Sequence, residues 1–301
     1  MGQILVVCNP AAGTRRRQRM QGVLSLLRKR NIEVQMVETS RTDDARRIAS
    51  DLPENTETVV IAGGDGTINE VINGLVGNAG RRKGDRLPEL ALVPMGTANV
   101  LAAEIGLTDL SPDNLTRTII DGRRRNIYPA RVNDDHFIQM CGAGFDAHVV
   151  ANVSLRLKRR LGKFAYVIAS VAQFWRYVPQ MYRIAVDGQS HTAASVIVAN
   201  GHFYAGRFVC APQARIDEPL LYACLFQRAG RWHVIRYSWG ILSGRLKHFR
   251  DVLVIPAMRV TIESMVAGEV AEPLQGDGDI VATLPVTITA GTVPLVLRSP
   301  G

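Results

Sequence analysis

Apolar residues in the first 120 or so positions form short runs that alternate with amphipathic stretches. Four runs have the length and composition of buried strands, at residues 4–7, 33–37, 58–62 and 90–93. Segments with helical periodicity lie between them. Alternation of this kind predicts an α/β domain in which crossover helices connect the strands of a parallel sheet.

The pattern changes to paired strands from about residue 127 onward. Residues 181–186 and 190–199 flank Asp187-Gly188, a dipeptide suited to a tight hairpin turn that needs positive φ. Four further strands are predicted, at residues 252–255, 259–263, 282–289 and 293–297. The second part of the chain is therefore predicted to be a largely antiparallel, β-rich domain.

These patterns divide the chain at about residue 124. We expect an α/β domain at residues 1–124, a β-rich domain at residues 125–289, and a C-terminal segment, about 290–301, that returns to the first domain. One long helical pattern, about 147–177, carries five cations in its first part: Arg156, Lys158, Arg159, Arg160 and Lys163. It either lies on an anionic membrane surface or is a solvated basic face over ordinary core packing.

A glycine-rich turn at residues 63–67, Gly63-Gly64-Asp65-Gly66-Thr67, directly follows the third predicted strand. Glycines let the chain turn sharply and let backbone N–H groups approach an anion at the N-terminus of the next helix. Thr67 and Glu70 have the spacing of a capping box. We interpret the turn as a phosphate cradle, and the alternative is a tight turn in which Asp65 only caps a helix.

Two further turns follow predicted strands. Pro94-Met95-Gly96-Thr97-Ala98-Asn99 comes after the fourth strand and opens a helix near Val100, and Asn9-Pro10 with Gly13 ends the first strand. Because the carboxyl ends of parallel strands meet at one crevice, we expect these turns to line a shared ligand site. Thr97 and Asn99 are candidates for the nucleotide pocket.

Length and charge limit the possible partners. A chain of 301 residues fits two domains, or one domain with a large insertion. A net charge of +9 with a pI near 9.8 favours anionic partners. A nucleic-acid surface is disfavoured, because aromatic residues make up only 6% and no recognised motif accompanies the arginines. Arg15, Arg16, Arg17 and Arg19 either form a solvated face or steer the phosphates of a nucleotide toward the glycine-rich turn.

Four separated cysteines, without a CxxC pair, suggest neither a zinc site nor disulfides and fit a reducing cytosol. We expect no transmembrane helix, because the most apolar later stretch, 164–177, is too short for a span of about 20 residues.

Together these motifs resemble the catalytic domain of the diacylglycerol kinase and sphingosine kinase superfamily, particularly the soluble bacterial lipid kinases. Six motifs stand in the family's order: Asn9-Pro10 with Gly13, residues 63–67 with Asn69-Glu70, and residues 94–99, 142–147, 211–214 and 277–279. The resemblance implies that residues 1–124 form a phosphofructokinase-like α/β domain with a parallel sheet, which binds the nucleotide. Residues 125–289 would form a mainly antiparallel β-sandwich domain, which binds the acceptor.

The resemblance also implies an ATP-dependent lipid kinase that phosphorylates a hydroxyl of diacylglycerol or a related lipid. Asp65 would approach the nucleotide phosphates through Mg²⁺, and the last residue of the family's Asp-Gly-Glu motif, here Asp279, would be the general base. Aspartate is one methylene shorter than the family's glutamate. The ATP-binding residues carried over are Asn9, Thr39, Gly63, Gly64, Asp65, Gly66, Thr67, Asn69 and Thr97. The alternative for residues 277–278 is a plain hairpin turn.

The family also places a structural magnesium in a loop that reads Asp-Asp-Gly-x-Leu-Asp. This chain has Asp217-Glu218-Pro219-Leu220-Leu221-Tyr222 there. By matching position, Arg215 and Leu220 would offer carbonyl oxygens and Glu218 its carboxylate, and oxygen ligands suit such a cation. Proline in place of glycine changes the geometry of the loop.

Several alternatives stay open on the sequence. NAD kinase and phosphofructokinase share the Gly-Gly-Asp-Gly turn on a related fold, and a regulatory pseudokinase is open because of Asp279. The acceptor is diacylglycerol, phosphatidylglycerol, a sphingoid base, a polyprenol or a soluble polyol phosphate. We expect a cytoplasmic protein with peripheral contact to the inner face of the membrane, and a homodimer through sheet edges is open.

Overall fold

The protein is described by a computed structural model. It covers residues 3–10, 14–77, 87–152, 174–175, 177–204, 206–265 and 271–301. The chain divides into two compact units, one of Met1–Tyr128 with Val293–Gly301 and one of Pro129–Thr292.

The first unit is an α/β domain. Its six-stranded sheet, counted over the described residues, has the order β2-β1-β3-β4-β18-β5, and every neighbouring pair is parallel except β18 with β5. The strands are β1 (Gln3–Cys8), β2 (Val34–Glu38), β3 (Thr56–Gly63), β4 (Glu89–Pro94), β5 (Arg123–Ile127) and β18 (Leu295–Ser299). The helices are α1 (Thr14–Lys29), α2 (Asp44–Ser50), α3 (Asp65–Gly77), α4 (Val100–Glu104) and α5 (Pro112–Asp121).

The central strands β1, β3 and β4 are buried on both faces, which is why they read as continuous apolar runs. The last strand, β18, is held beside β4 by a buried ion pair. Arg298 Nε and Nη2 lie 2.8 and 2.7 Å from Glu89 Oε2. Residues from the far end of the chain thereby complete the sheet.

The second unit is an antiparallel β-sandwich, so the fold class predicted from the sequence is confirmed. Its two sheets have six strands each over the described residues. One runs in the order 189–193, 182–186, 259–264, 286–289, 130–132 and 135–137, and the other in the order 252–257, 221–226, 195–199, 140–143, 273–276 and 279–283. Side chains of both sheets form one core that includes Phe137, Tyr182, Leu225, Ile262 and Leu274.

The described part of the second unit contains twelve short strands. In chain order they are β6 (Ala130–Val132), β7 (Asp135–Phe137), β8 (Met140–Ala143), β9 (Tyr182–Val186), β10 (Gln189–Ala193), β11 (Ser195–Ala199), β12 (Leu221–Phe226), β13 (Val252–Ala257), β14 (Arg259–Ser264), β15 (Pro273–Gly276), β16 (Asp279–Thr283) and β17 (Val286–Thr289). The helices are α6 (Phe145–Ala151), α7 (Arg231–Leu242) and a 3₁₀ turn (Leu246–His248).

Two strands predicted as single runs are each divided. The hairpin at Asp187-Gly188 is confirmed, with φ values of 46° and 88°, but residues 190–199 form β10 in one sheet and β11 in the other. An alternating pattern does not reveal that the chain changes sheets at Ala194. Residues 282–289 belong to β16 and β17, which are separated at Pro285, a residue that cannot donate a ladder hydrogen bond.

The prediction of one helix through residues 147–177 is wrong. Helix α6 ends at Ala151, and Asn152 forms its C-terminal cap. The five cations predicted on that helix lie outside the described residues. Across the described part of the chain, no helix has the length and apolar character needed to cross a bilayer. All four cysteines are buried free thiols.

Candidate functional site

The carboxyl ends of neighbouring strands bring the predicted binding residues to one edge of the parallel sheet. Asn9 follows β1, Thr39 follows β2, Gly64 follows β3 and Thr97 follows β4. The N–H of Asn9 donates to the carbonyl of Ala62 (2.9 Å), and the N–H of Thr39 donates to that of Cys8 (2.9 Å). Residues that are far apart in sequence therefore share the edge where open α/β sheets bind ligands.

The two glycine turns pack directly against each other. A Cβ on Gly96 would lie 2.6 Å from the Cα of Gly64, and a Cβ on Gly64 would lie 3.0 Å from the Cα of Gly96. The N–H of Met95 donates to the carbonyl of Gly63 (2.8 Å). Glycine is needed at both positions because two backbones approach each other there. Both turns were predicted from the sequence, but the glycines of residues 63–67 were explained there by the approach of an anion and not by contact with the other turn.

Asp65 joins the two turns through its side chain. Its Oδ1 accepts hydrogen bonds from the N–H groups of Val100 (2.8 Å) and Leu101 (3.4 Å), at the start of α4. Asn99, with φ of 47°, accepts the N–H of Gly96 on its own Oδ1 (2.8 Å). The carboxylate of Asp65 therefore does cap a helix, although that helix is α4 and not its own.

The first turn of α3 directs backbone donors toward this edge. The first hydrogen bond inside the helix runs from the N–H of Ile68 to the carbonyl of Gly64 (3.1 Å). The N–H groups of Gly66 and Thr67 precede it, so they have no acceptor within the helix. Together with the helix dipole, such groups favour an anion.

The predicted capping box is wrong. Helix α3 begins at Asp65, so Thr67 is its third residue, and Asn9 Nδ2 donates to Thr67 Oγ1 (3.3 Å). Glu70 instead accepts the N–H of Ala45 in α2 on its Oε2 (3.1 Å). Burial raises the pKa of the Glu70 carboxyl above its ordinary value. Glu70 thus ties α2 to α3.

Two arginines of α1 reach the same edge of the sheet. Arg17 donates to the carbonyl of Pro10 (2.7 Å), and Arg19 donates to the carbonyl of Pro94 (2.9 Å). The sequence left these cations open between a solvated face and a role toward ATP. Their contacts place both guanidinium groups beside strand ends. Among the other predicted residues, Asn69 lies one turn into α3, where its Oδ1 accepts Asn73 Nδ2 (2.6 Å).

In the second unit, Asp277-Gly278 forms the two-residue turn between β15 and β16, with φ values of 50° and 88°. The Asp277 carboxylate accepts three backbone N–H groups, from Ile138 (2.7 Å), Gln139 (2.9 Å) and Met140 (3.1 Å). The backbone of residues 277–278 thus forms the hairpin turn that the alternative interpretation predicted. The Asp277 side chain also holds this turn against the start of β8.

Asp279 differs from Asp277, although only one residue separates them. It is the first residue of the edge strand β16, pairs with Gly276 across the hairpin, and has an exposed side chain. The clamp formed by Asp277 fixes the turn that carries it. The sequence suggested the position of Asp279 but gave no indication that Asp277 holds it.

A third carboxylate of the second unit lies in the motif at residues 142–147. Asp146, in the first turn of α6, accepts Gln275 Nε2 on its Oδ2 (3.0 Å). Burial raises the pKa of Asp146 to about 6, and the hydrogen bond from Gln275 opposes the shift. A buried carboxyl with such a pKa is a feature that residue spacing could not reveal.

The predicted metal loop does not fit a divalent cation as its side chains are arranged. Arg215 Nε lies 3.1 Å from Asp217 Oδ1 and 3.3 Å from Glu218 Oε1, and the carbonyl of Arg215 accepts the N–H of Glu218 (3.1 Å). The N–H of Leu220 turns back to the carbonyl of Glu218 (2.9 Å). The Arg215 guanidinium therefore pairs with both carboxylates, which a divalent cation would need as ligands. No cluster of three or more His, Cys, Asp or Glu residues suited to a metal occurs among the described residues.

Removal of divalent cations tests this arrangement. We expect EDTA to leave the Tm of the nucleotide-free protein unchanged within about 2 °C, because a metal site filled at 100 times its Kd would add about 2.7 kcal/mol and several degrees. Differential scanning calorimetry with EDTA and with Mg²⁺ is the measurement. A Tm that falls by several degrees in EDTA, in wild type and in Arg215→Gln alike, would show that a cation holds the loop.

Substitution of Gly96 tests the contact between the glycine turns. Gly96→Ala should lower the free energy of unfolding by about 1–3 kcal/mol and weaken nucleotide binding, because the new Cβ forces the turns apart. Gly77→Ala is the matched control, since a Cβ added there, at the end of α3, would meet no atom within 4 Å. Chemical denaturation and nucleotide titration give both quantities. Equal behaviour of the two variants would contradict the packing described.

Known protein families match both units. Residues 3–132 match the model described as "Diacylglycerol kinase catalytic domain", and residues 139–298 match "YegS C-terminal NAD kinase beta sandwich-like domain". A diacylglycerol kinase of Mycobacterium tuberculosis (strain ATCC 25618 / H37Rv) is 27% identical, covering 99% of this chain and 94% of that protein. A "Probable lipid kinase YegS-like" of Klebsiella pneumoniae (strain 342) is 32% identical over 69% of each chain.

Solved structures agree on the fold. The crystal structure of a diacylglycerol kinase from Bacillus anthracis str. Sterne superimposes with a TM-score of 0.74, at 21% identity, covering 99% of this chain and 97% of that one. The two domains and the matches define a lipid kinase, an enzyme that phosphorylates an alcohol group. The chain belongs to the family of the diacylglycerol kinase catalytic domain. The resemblance inferred from the motifs is confirmed, and an NAD-kinase-like function is not favoured.

Proposed function

We propose that the protein transfers the γ-phosphoryl group of ATP to a hydroxyl of diacylglycerol or a related membrane lipid, with Mg²⁺ on the nucleotide phosphates. The observation that carries the proposal is the packing of two glycine turns at the carboxyl edge of the parallel sheet, with the first turn of α3 beside them. Phosphoryl transfer depends mainly on positioning and charge neutralisation, and this edge supplies both.

Backbone and side-chain donors at the edge are suited to the phosphates. The N–H groups at the start of α3 would donate to phosphate oxygens, and the guanidinium groups of Arg17 and Arg19 would attract the triphosphate. Thr97, with its exposed hydroxyl, and Asn9 are polar side chains of the same edge. Thr39 is buried, with 7% of its surface exposed, so it would support the edge from within.

Asp65 fits a magnesium ion by its chemistry and its place. Its carboxylate lies in the first turn of α3, where the phosphates would bind, and carboxylate oxygens are ligands that Mg²⁺ prefers. Its Oδ1 accepts two helix N–H groups from α4, so the side chain is held in one orientation. Bound Mg²⁺ would neutralise the charge that develops on the phosphates.

Asp279 would serve as the general base. Its carboxylate would accept the proton of the lipid hydroxyl, whose oxygen forms the new bond to the γ-phosphorus while the bond to the bridging oxygen breaks and ADP leaves. Its exposure keeps the carboxylate accessible to an acceptor. Asp277 would position it by anchoring the hairpin turn to β8.

Four buried free thiols fit a reducing compartment, so we place the reaction at the inner face of the membrane.

The test of the proposed function is a kinase assay with γ-labelled ATP and Mg²⁺ against diacylglycerol, phosphatidylglycerol, a sphingoid base, a polyprenol, a polyol phosphate and NAD. We expect labelled product with at least one lipid. Label in NAD alone would favour the NAD-kinase alternative, and ATP binding without any product would favour a pseudokinase.

A further inference from the structure

Helix α7 packs on the sandwich by a narrow strip. Only Tyr237 and Gly240 are buried among its residues. The Tyr237 ring lies 5.0 Å from that of Phe226, and a Cβ on Gly240 would lie 2.7 Å from the ring of Phe249. The helix is therefore anchored along one side, where the half-buried Ile241 also packs against the same core.

The opposite side of α7 is apolar and exposed. Trp232, Ile235, Trp239 and Leu242 are 81%, 44%, 61% and 58% exposed. Their spacing of three, four and three residues places them within an arc of about 80°, roughly opposite Tyr237. Contiguous exposed apolar side chains of this size mark a surface that binds a partner.

Two residues outside the helix extend this surface. Trp175 and Val178 are both 69% exposed, and Arg231 Nη2 donates to the carbonyl of Trp175 (2.9 Å). The contact places Trp175 beside the first turn of α7. The chain has three tryptophans, and all three are exposed in this region. We call the six residues Trp175, Val178, Trp232, Ile235, Trp239 and Leu242 the tryptophan surface.

Cations surround the tryptophan surface. Residues 228–251 contain six Arg or Lys residues and one acid, Asp251, which pairs with Arg236 and lies 3.8 Å from Arg228. Arg231 and Arg236 flank the apolar arc on its two sides, as the helical spacing of about 100° per residue requires. A depression of about 490 Å³ next to the helix is lined by Arg228, Arg236, His248 and Arg250, with Asp251 paired to Arg236.

We propose that the tryptophan surface docks the protein on an anionic lipid bilayer. Tryptophan rings favour the interface between headgroups and acyl chains, and flanking cations bind anionic headgroups. A second copy is a poorer occupant, because pairing two such faces would bring six cations of each copy together with only one acid per copy, Asp251, in residues 228–251.

The inference rests on the proposed function in one respect, since a kinase for a membrane lipid must reach the bilayer. Its test measures binding to vesicles, so that failure of the docking inference can be told apart from failure of the proposed function. Because every tryptophan lies in this surface, the emission of the unlabelled full chain reports docking directly. Sedimentation with vesicles of phosphatidylglycerol and phosphatidylcholine measures the affinity.

We expect wild type to bind the mixed vesicles with a blue shift of its emission and to bind pure phosphatidylcholine weakly. Trp232→Ala with Trp239→Ala should lower affinity at least about tenfold. Arg231→Gln should lower it about fivefold at low salt. Met258→Ala is the matched control, because this exposed apolar residue of the same unit lies between β13 and β14, outside the surface. Circular dichroism and Tm verify that each variant is folded.

Vesicle affinity equal in wild type and the double tryptophan variant overturns the inference. A wild-type dimer that becomes a monomer in the double variant, with vesicle binding unchanged, overturns it in favour of a second copy. Phosphorylation of a short-chain acceptor, dispersed as monomers, should be the same in both proteins. Tryptophan-dependent vesicle binding supports docking even where no lipid is phosphorylated, and that combination refutes the proposed function alone.

Discussion

Asp65→Asn is expected to lower kcat by about 10²- to 10³-fold while the protein stays folded. Asparagine retains a side-chain oxygen that can accept the N–H groups of Val100 and Leu101, which Asp65 Oδ1 accepts at 2.8 and 3.4 Å. The substitution therefore keeps the cap on α4 and removes the charge. A loss of rate at nearly unchanged stability assigns the charge of Asp65 to the nucleotide and its metal.

Glu70→Gln is the matched control for this variant. Glu70 lies on the same helix and also accepts a helix N–H, but its partner is Ala45 of α2. We expect Glu70→Gln to change kcat far less than Asp65→Asn does. Steady-state kinetics with urea denaturation of each variant gives both quantities. If Asp65→Asn kept the wild-type kcat, Asp65 would be a helix cap only.

Asp279→Asn is expected to lower kcat by about 10²- to 10⁴-fold, the range typical for loss of a general base. Its side chain is exposed at the start of an edge strand, so the free energy of unfolding should change by less than about 0.5 kcal/mol. Asp279→Glu restores the family's residue and should keep or raise the rate.

Asp277→Asn should have the opposite effect to Asp279→Asn, with a large change in the free energy of unfolding and only an indirect effect on kcat. The Asp277 carboxylate accepts N–H groups of three consecutive residues, so its neutralisation should lower the free energy of unfolding by about 1–3 kcal/mol. Any loss of rate would follow from movement of the turn. If Asp279→Asn kept the wild-type kcat, Asp279 would not be the general base, whatever the stability of Asp277→Asn.

The sequence predicted the first unit well for a physical reason. Strands buried on both faces read as unbroken apolar runs, and the turns after β3 and β4 contain glycine where their backbones approach each other. The sequence therefore predicted which residues lie together at the carboxyl edge of the parallel sheet. The contact of Gly64 with Gly96 was not, because it joins turns from separate parts of the chain.

The second unit was harder to predict because its decisive contacts are not local. Alternation along residues 190–199 persists while the chain passes from one sheet to the other. The clamp of Asp277 on residues 138–140 spans more than 130 positions. The stripe of Trp232, Ile235, Trp239 and Leu242 was present in the sequence, yet such spacing ordinarily predicts a face turned toward the core.

Hydrogen–deuterium exchange with a non-hydrolysable ATP analogue and Mg²⁺ measures where the nucleotide phosphates bind. Peptides that cover the first turn of α3 and the turn at residues 94–99 should exchange more slowly when the analogue is bound, and peptides of α7 should not change. A bound analogue that leaves both glycine turns unprotected would contradict the assignment of this edge as the nucleotide site.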